Sequence, residues 1–318
     1  MVHSHHSHSG QYVSHAVDSL DDVVSRVKDM NFEVFCLTEH VPRYDYKLMY
    51  PEEIDKGYTV DSLVENFEKY YEHARLIQKA VNADRSSRLK ILVGFETEGG
   101  IDEYHLSKCL QFKRELRPDV IVGSVHHLRG IDLDFSREKW LEAKGDLTLQ
   151  AFFLAYFKQH QVMVKTLEPE IIGHFDLIRL FALPHDRCED TGKELKDINI
   201  ERDWPEVWKV ITETVELIVS QGGLVELNTA AIRKGWTTSY PKDDLFQLIR
   251  EKGGRFCLSD DSHGVKQVGL NYEKALKHLQ KLGLDKLYYF DLDVSGTPFV
   301  NSRTLEDIAA DPFWNNYS

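Results

Sequence analysis

Apolar residues in this chain fall into short runs of strand formers separated by stretches of helical period, and the two alternate almost throughout. Leu20, Val23, Val24, Val27 and Met30 predict an amphipathic helix over about 18–30. EVFCL follows, ending in Thr38-Glu39-His40. Leu63, Phe67, Tyr70, Tyr71, Ala74 and Ile77 predict a helix over about 62–82, and ILVGFETEGG is the next strand. A helix over 106–116 leads through Pro118 to the strand DVIVGSVHH. A long aromatic-rich helix over 147–167 then leads to the strand IIGHFD. Val207, Ile211, Val215 and Ile218 mark a helix that Gly222 and Gly223 stop, before LVELN. Pro241 is expected to open the helix PKDDLFQLIREKGG in its first turn, followed by the strand RFCLSDDSH, a helix over 271–282 and LYYF. From about residue 293 the pattern reads as a surface tail with one short helix.

Strict strand-then-helix alternation implies a parallel sheet, and continuous apolar strands imply burial on both faces. Seven of the strands end in polar residues; LYYF does not. An open doubly wound sheet would place its ligands mainly at one switch point, whereas a barrel gathers every C-terminal strand end into one site. Nearly every strand here ends in His, Asp or Glu, so an α/β barrel is expected, as one domain over 1–318. Two long insertions, 42–59 and 128–146, fall on the presumed site face, where they would form lids.

The N-terminal MVHSHHSHSGQYVSH contains His3, His5, His6, His8 and His15. An expression tag or a solvated metal-binding tract is one reading. Serines interrupt the run, however, and a helical pattern begins directly behind it. The other reading is a strand ending in His6-x-His8, where alternation points both rings the same way, an arrangement suited to zinc, iron or manganese.

Later strand ends weigh between the two. They supply His40, Glu96, His126, His174, Asp261 and His263. Each has a plainer reading alone: a helix cap for His40, a surface carboxylate for Glu96, a hydrogen-bonded core histidine for His126 or His127, a turn for Asp261-x-His263. Together they favour a metal cluster, because charged and imidazole groups behind buried strands are costly unless paired or coordinated. His73, His105, His160, His185 and His278 fall in helices or loops instead.

Composition narrows the function further. A net charge of -13 disfavours a nucleic-acid surface. An anionic substrate would need local positive charge, which bound metal can supply. No apolar run reaches the ~18 residues of a membrane span, and no secretory signal pattern opens the chain. Cys36, Cys109, Cys188 and Cys257 are too dispersed for a disulfide framework or a thiolate zinc site, so a reducing, cytoplasmic location is expected.

The motifs HSHHSHSG, LTEH, GFETE, GSVHH, GHFD, ELNTAAIRK and LSDDSHG, in this order over residues 3–264, resemble those of the PHP family of metal-dependent phosphoesterases. More narrowly, they resemble its fungal histidinol-phosphate phosphatase branch. The resemblance implies a distorted (β/α)7 TIM-like barrel with three divalent ions at its strand ends. One ion would take His6, His8, Glu96 and Asp261; a second would share Glu96 and add His126 and His174; a third would take His15, His40 and His263. The family pattern selects His6-x-His8 over His3-x-His5, and Asp261 over Asp260. It implies hydrolysis of L-histidinol phosphate by a metal-activated hydroxide, with Asp261 or a metal-bound water protonating the leaving oxygen. Asp261, His263 and Arg233 are then the expected catalytic residues.

The stretch GGLVELNTAAIRKGW has a plain reading, a strand followed by a solvated basic turn. Its functional reading gives Arg233 the substrate phosphate, for which a guanidinium is suited. Asn228 and Lys234 would assist, and His127 is expected behind His126 or at the substrate. A different phosphomonoester, such as a nucleotide, is the alternative substrate, and a noncatalytic metal-dependent scaffold is the alternative class.

Overall fold

The computed structural model describes residues 2–317. Seven strands carry the apolar runs: β1 (His3–Ser4), β2 (Val34–Leu37), β3 (Lys90–Glu96), β4 (Val120–Gly123), β5 (Ile171–Ile172), β6 (Leu224–Asn228) and β7 (Arg255–Ser259). They pair in parallel, in chain order. The first strand also meets the last. The His5 N–H donates to the Leu258 carbonyl at 3.3 Å, and Ser7 bridges to Ser262. The sheet therefore curls into a nearly closed barrel.

Helices α1 (Leu20–Asp29), α2 (Val60–Ala83), α3 (Glu103–Leu116), α4 (Leu149–Leu167), α5 (Pro205–Gln221), α6 (Asp243–Glu251) and α7 (Tyr272–Lys281) intervene between strands or follow the last. Alternation along each strand creates two apolar layers. Val34, Cys36, Leu92, Val120, Val122, Ile171, Leu224 and Cys257 fill the barrel interior. Phe35, Leu37, Ile91, Val93, Ile121 and Phe256 face outward to the helices. No helix among the described residues is long and apolar enough to cross a membrane.

Two expectations give way. Pro241 does not open a helix: α6 begins at Asp243, with Lys242 as its N-cap. Tyr240 exchanges backbone hydrogen bonds with Asn228 at 3.0 and 3.1 Å, which holds this segment against the end of β6 until Lys242.

The C-terminal region is also more than a surface tail. LYYF lies in β8 (Lys286–Leu292), which pairs antiparallel with β9 (Pro298–Thr304). Tyr289 and Phe290 of this hairpin join the barrel-interior layer at its N-terminal mouth. His5 Nε2 accepts a hydrogen bond from the Phe290 N–H at 2.9 Å, and the ring of His3 lies 5.3 Å from that of Tyr289. The hairpin thus closes the barrel end opposite the polar strand termini. Beyond it, Leu305, Ile308 and Phe313 are buried, with Phe313 edge-on to Phe32 at 4.9 Å. Phe313→Ala is expected to cost about 3–5 kcal/mol, typical of a buried Phe truncation, measured by urea unfolding. A surface tail would give a change near zero.

Candidate metal centre

Glu96 ends β3 and is fully buried. Its side chain shares the inward face with Leu92 and Gly94. Gly94 has no room for a Cβ, which would collide with the Val120 carbonyl, so β3 and β4 close tightly just beneath the carboxylate. Five imidazoles surround Glu96: His40 Nδ1 at 2.9 Å, His174 Nε2 at 3.0 Å, His6 Nε2 at 3.1 Å, His126 Nε2 at 3.2 Å and His8 Nε2 at 3.4 Å. Asp261, beyond β7, lies 3.4 Å from His8 and 3.7 Å from His6. Its backbone is left-handed, at φ 49°, unusual for a residue other than glycine.

A carboxylate stands behind three of these rings. Glu226 lies 3.1 Å from His6 Nδ1, Glu98 3.2 Å from His126 Nδ1, and Glu39 3.4 Å from His8 Nδ1. A proton held on Nδ1 leaves the Nε2 lone pair facing inward, as in carboxylate–histidine–metal triads. His6 Nε2, His8 Nε2 and Glu96 Oε2 are buried and make no well-formed hydrogen bond. Donor sets of His6, His8 and Asp261, of His40, Glu96 and His126, and of His8, His40 and His263 each lie within 4.8 Å.

The electrostatics also calls for cations. Burial would raise the Glu96 pKa, but His6, His126 and His40 outweigh it and hold the carboxyl well below its usual range. Burial would likewise lower the pKa of His8, yet the adjoining carboxylates of Asp261, Glu39 and Glu96 push it up to about 10. Buried carboxylates of this density require positive charge, from protons or from metal ions. The nitrogen-rich donor set suits a borderline divalent metal. Chelation should therefore lower the melting temperature and re-added divalent metal should restore it, as binding to the folded state alone requires. Unchanged melting, with metal shown to be removed, would contradict this.

The other expected residues fall as follows. His15 lies on the loop after β1, its ring 5.0 Å from His263 and 5.3 Å from His40. His3 and His5 turn away from the cluster and accept backbone hydrogen bonds from Leu258 and Phe290. Asp260 also faces elsewhere, bonded to Ser4, Ser262 and Gly269; burial pushes its carboxyl up to about 6.

Asn228 and His127, expected at the substrate, both sit buried among carboxylates. The Asn228 amide is fully buried, donates to Glu226 and Asp261 and accepts from the Ala230 N–H. His127 is held between Glu98 at 3.6 Å and Asp132 at 3.0 Å.

The site also holds more carboxylates than the expected ligands Glu96 and Asp261. Glu39, Glu98 and Glu226 add negative charge, and Arg43 offsets part of it through Glu98 at 2.9 Å. Alternation in GFETE, which puts Glu98 on the face of Glu96, was the available signal.

Above the cluster opens a cavity of about 290 Å³. His15, His40, Glu96, His126, His174, Asp261 and His263 line its floor, with Arg233 and Lys234 beside them. Arg233 donates to the carbonyls of Asp260 and Asp261 at 3.3 and 3.0 Å, and Lys234 lies 3.4 Å from Asp134. Both insertions reach the cavity, through Tyr50 and Glu52 and through Asp134 and Phe135.

Residues 4–230 match the PHP domain. The chain is 36% identical over 338 residues to the histidinol-phosphatase of Saccharomyces cerevisiae, covering 99% of this chain and 100% of that one. It is 37% identical over 317 residues to the "Probable histidinol-phosphatase" of Schizosaccharomyces pombe, covering 99% and 96%. A similar fold occurs in histidinol phosphate phosphatase from Lactococcus lactis, solved with zinc, L-histidinol and phosphate. That likeness has a TM-score of 0.60 at 21% identity, over 91% of this chain and 97% of that one. The chain belongs to the PHP-domain family.

Proposed function

We propose that the protein hydrolyses L-histidinol phosphate to L-histidinol and inorganic phosphate, a step of L-histidine biosynthesis, at a centre of three divalent ions. The observation that carries this reading is Glu96, buried among five imidazoles at 2.9–3.4 Å directly beneath a cavity that Arg233 and Lys234 also line. Full-length likeness to the yeast histidinol-phosphatase supports the substrate.

The reading takes three ions, of zinc, iron or manganese. His6, His8, Glu96 and Asp261 would hold one; Glu96, His126 and His174 would hold the second; His15, His40 and His263 would hold the third. Such ions supply a hydroxide at neutral pH and Lewis-acid charge for the phosphoryl oxygens. The chain's own groups bind and orient. Arg233 is anchored by two carbonyls and turns its remaining donors to the phosphate, with Lys234 adding a second cation. Burial would raise the Asp261 pKa, but His6, His8 and His263 hold it well below the carboxylate range. Asp261 therefore remains ionised at neutral pH and acts as an anchor, with His263 beside it at the cavity surface.

A substrate panel tests the assignment. Phosphate release from L-histidinol phosphate should exceed release from a nucleoside monophosphate in kcat/KM. Equal or faster release from the nucleotide would overturn the substrate; no release from any phosphoester by metal-loaded protein would favour a scaffold.

A further inference from the structure

The cavity wall formed by the two insertions has a different chemistry. Tyr50 and Phe135, one from each insertion, present near-parallel rings, 13° apart with centroids at 6.2 Å. The Tyr50 ring is fixed from behind: the Arg43 guanidinium lies 4.0 Å from its centroid and is itself paired with Glu98 and Glu53. Phe135 is 45% exposed at the cavity, an apolar ring left uncovered beside a polar site. Glu52 lines the same wall, and its carboxylate makes no hydrogen bond or ion pair among the described residues. A free carboxylate in a cavity with two aromatic rings, one of them exposed, suits a cationic group attached to a planar ring. It does not suit the phosphate, which Arg233 and Lys234 attract.

We infer that Glu52 binds the primary ammonium of the substrate and that Tyr50 and Phe135 stack its imidazole, making these insertion residues the determinants of specificity. The inference rests on the proposed action on L-histidinol phosphate. The two parts of that molecule not being hydrolysed are an ammonium and a planar heteroaromatic ring, and this wall offers one partner for each. Glu52 and Phe135 are exposed and contribute little to the core, so variants at both should fold.

The test crosses two variants with three phosphomonoesters: L-histidinol phosphate, its amine-free analogue 3-(imidazol-4-yl)propyl phosphate, and its ring-free analogue 2-aminopropyl phosphate. Glu52→Gln should lower kcat/KM roughly 10- to 100-fold for the two amine-bearing compounds relative to the amine-free one, the range for losing a charged hydrogen bond. Phe135→Ala should instead lower the two ring-bearing compounds relative to the ring-free one. Equal losses on all three compounds, or no loss on any, would overturn the inference while leaving the phosphatase reading intact. A wild-type protein that fails to prefer L-histidinol phosphate over a nucleoside monophosphate would overturn that reading first, and this inference with it.

Discussion

Glu96→Gln is expected to strip the protein of most bound metal and to lower phosphate release from L-histidinol phosphate by at least roughly 10³-fold, the scale on which metals and oriented charges contribute to phosphoryl transfer. Five imidazoles approach the Glu96 carboxylate within 3.4 Å, and one of its oxygens makes no well-formed hydrogen bond. Glutamine keeps the shape, so β3 should still pack. It removes the negative charge, however, and turns an N–H₂ donor toward nitrogens that must present lone pairs to metal. The variant should therefore melt like chelated wild-type protein, with or without added metal. Elemental analysis and phosphate release check both halves. A Glu96→Gln protein with full metal content and near-normal turnover would show that Glu96 is not a ligand.

Arg43→Met is expected to destabilise the fold by about 3–5 kcal/mol, the cost of breaking a buried ion pair from one side. Arg43 is almost completely buried, donates to Glu98 at 2.9 Å, pairs with Glu53 and packs on Tyr50. Methionine would fill much of the volume and leave two buried carboxylates uncompensated. The damage should also reach the metal centre, because Glu98 stands 3.2 Å from both His40 Nδ1 and His126 Nδ1. Urea unfolding of the metal-loaded protein measures the loss. Adding Glu53→Gln should recover part of it, since removing both partners costs less than stranding one. Additive losses in the double variant would mean that Arg43 stabilises by packing alone.

Much of this arrangement was legible in the sequence because its two strongest signals coincide. Apolar runs marked the barrel strands, and His, Asp or Glu marked where each run stops, which is also where a barrel gathers its site. Other features were less visible for identifiable reasons. β9 reads PFVNSRT, a mostly polar run that shows no strand period, so the plug under the barrel looked like a tail. Pro241 resembles a helix opener until the pairing of Tyr240 with Asn228 is known. Asn228 and His127 have the residue types expected at a substrate, and their carboxylate partners come from other segments or from within their own strand, which residue type does not reveal. Glu39 and Glu98 lay inside quoted motifs, but a carboxylate beside a ligand does not announce which ring it supports.

Cleavage of a phosphate ester by this chain is expected only with metal in the Glu96 cluster. The most direct test is to strip the purified protein with a chelator, return zinc, iron or manganese stepwise, and follow phosphate release from L-histidinol phosphate against bound metal. Turnover should be lost on chelation and return as the site refills. Turnover that persists in protein shown to be metal-free would contradict this expectation.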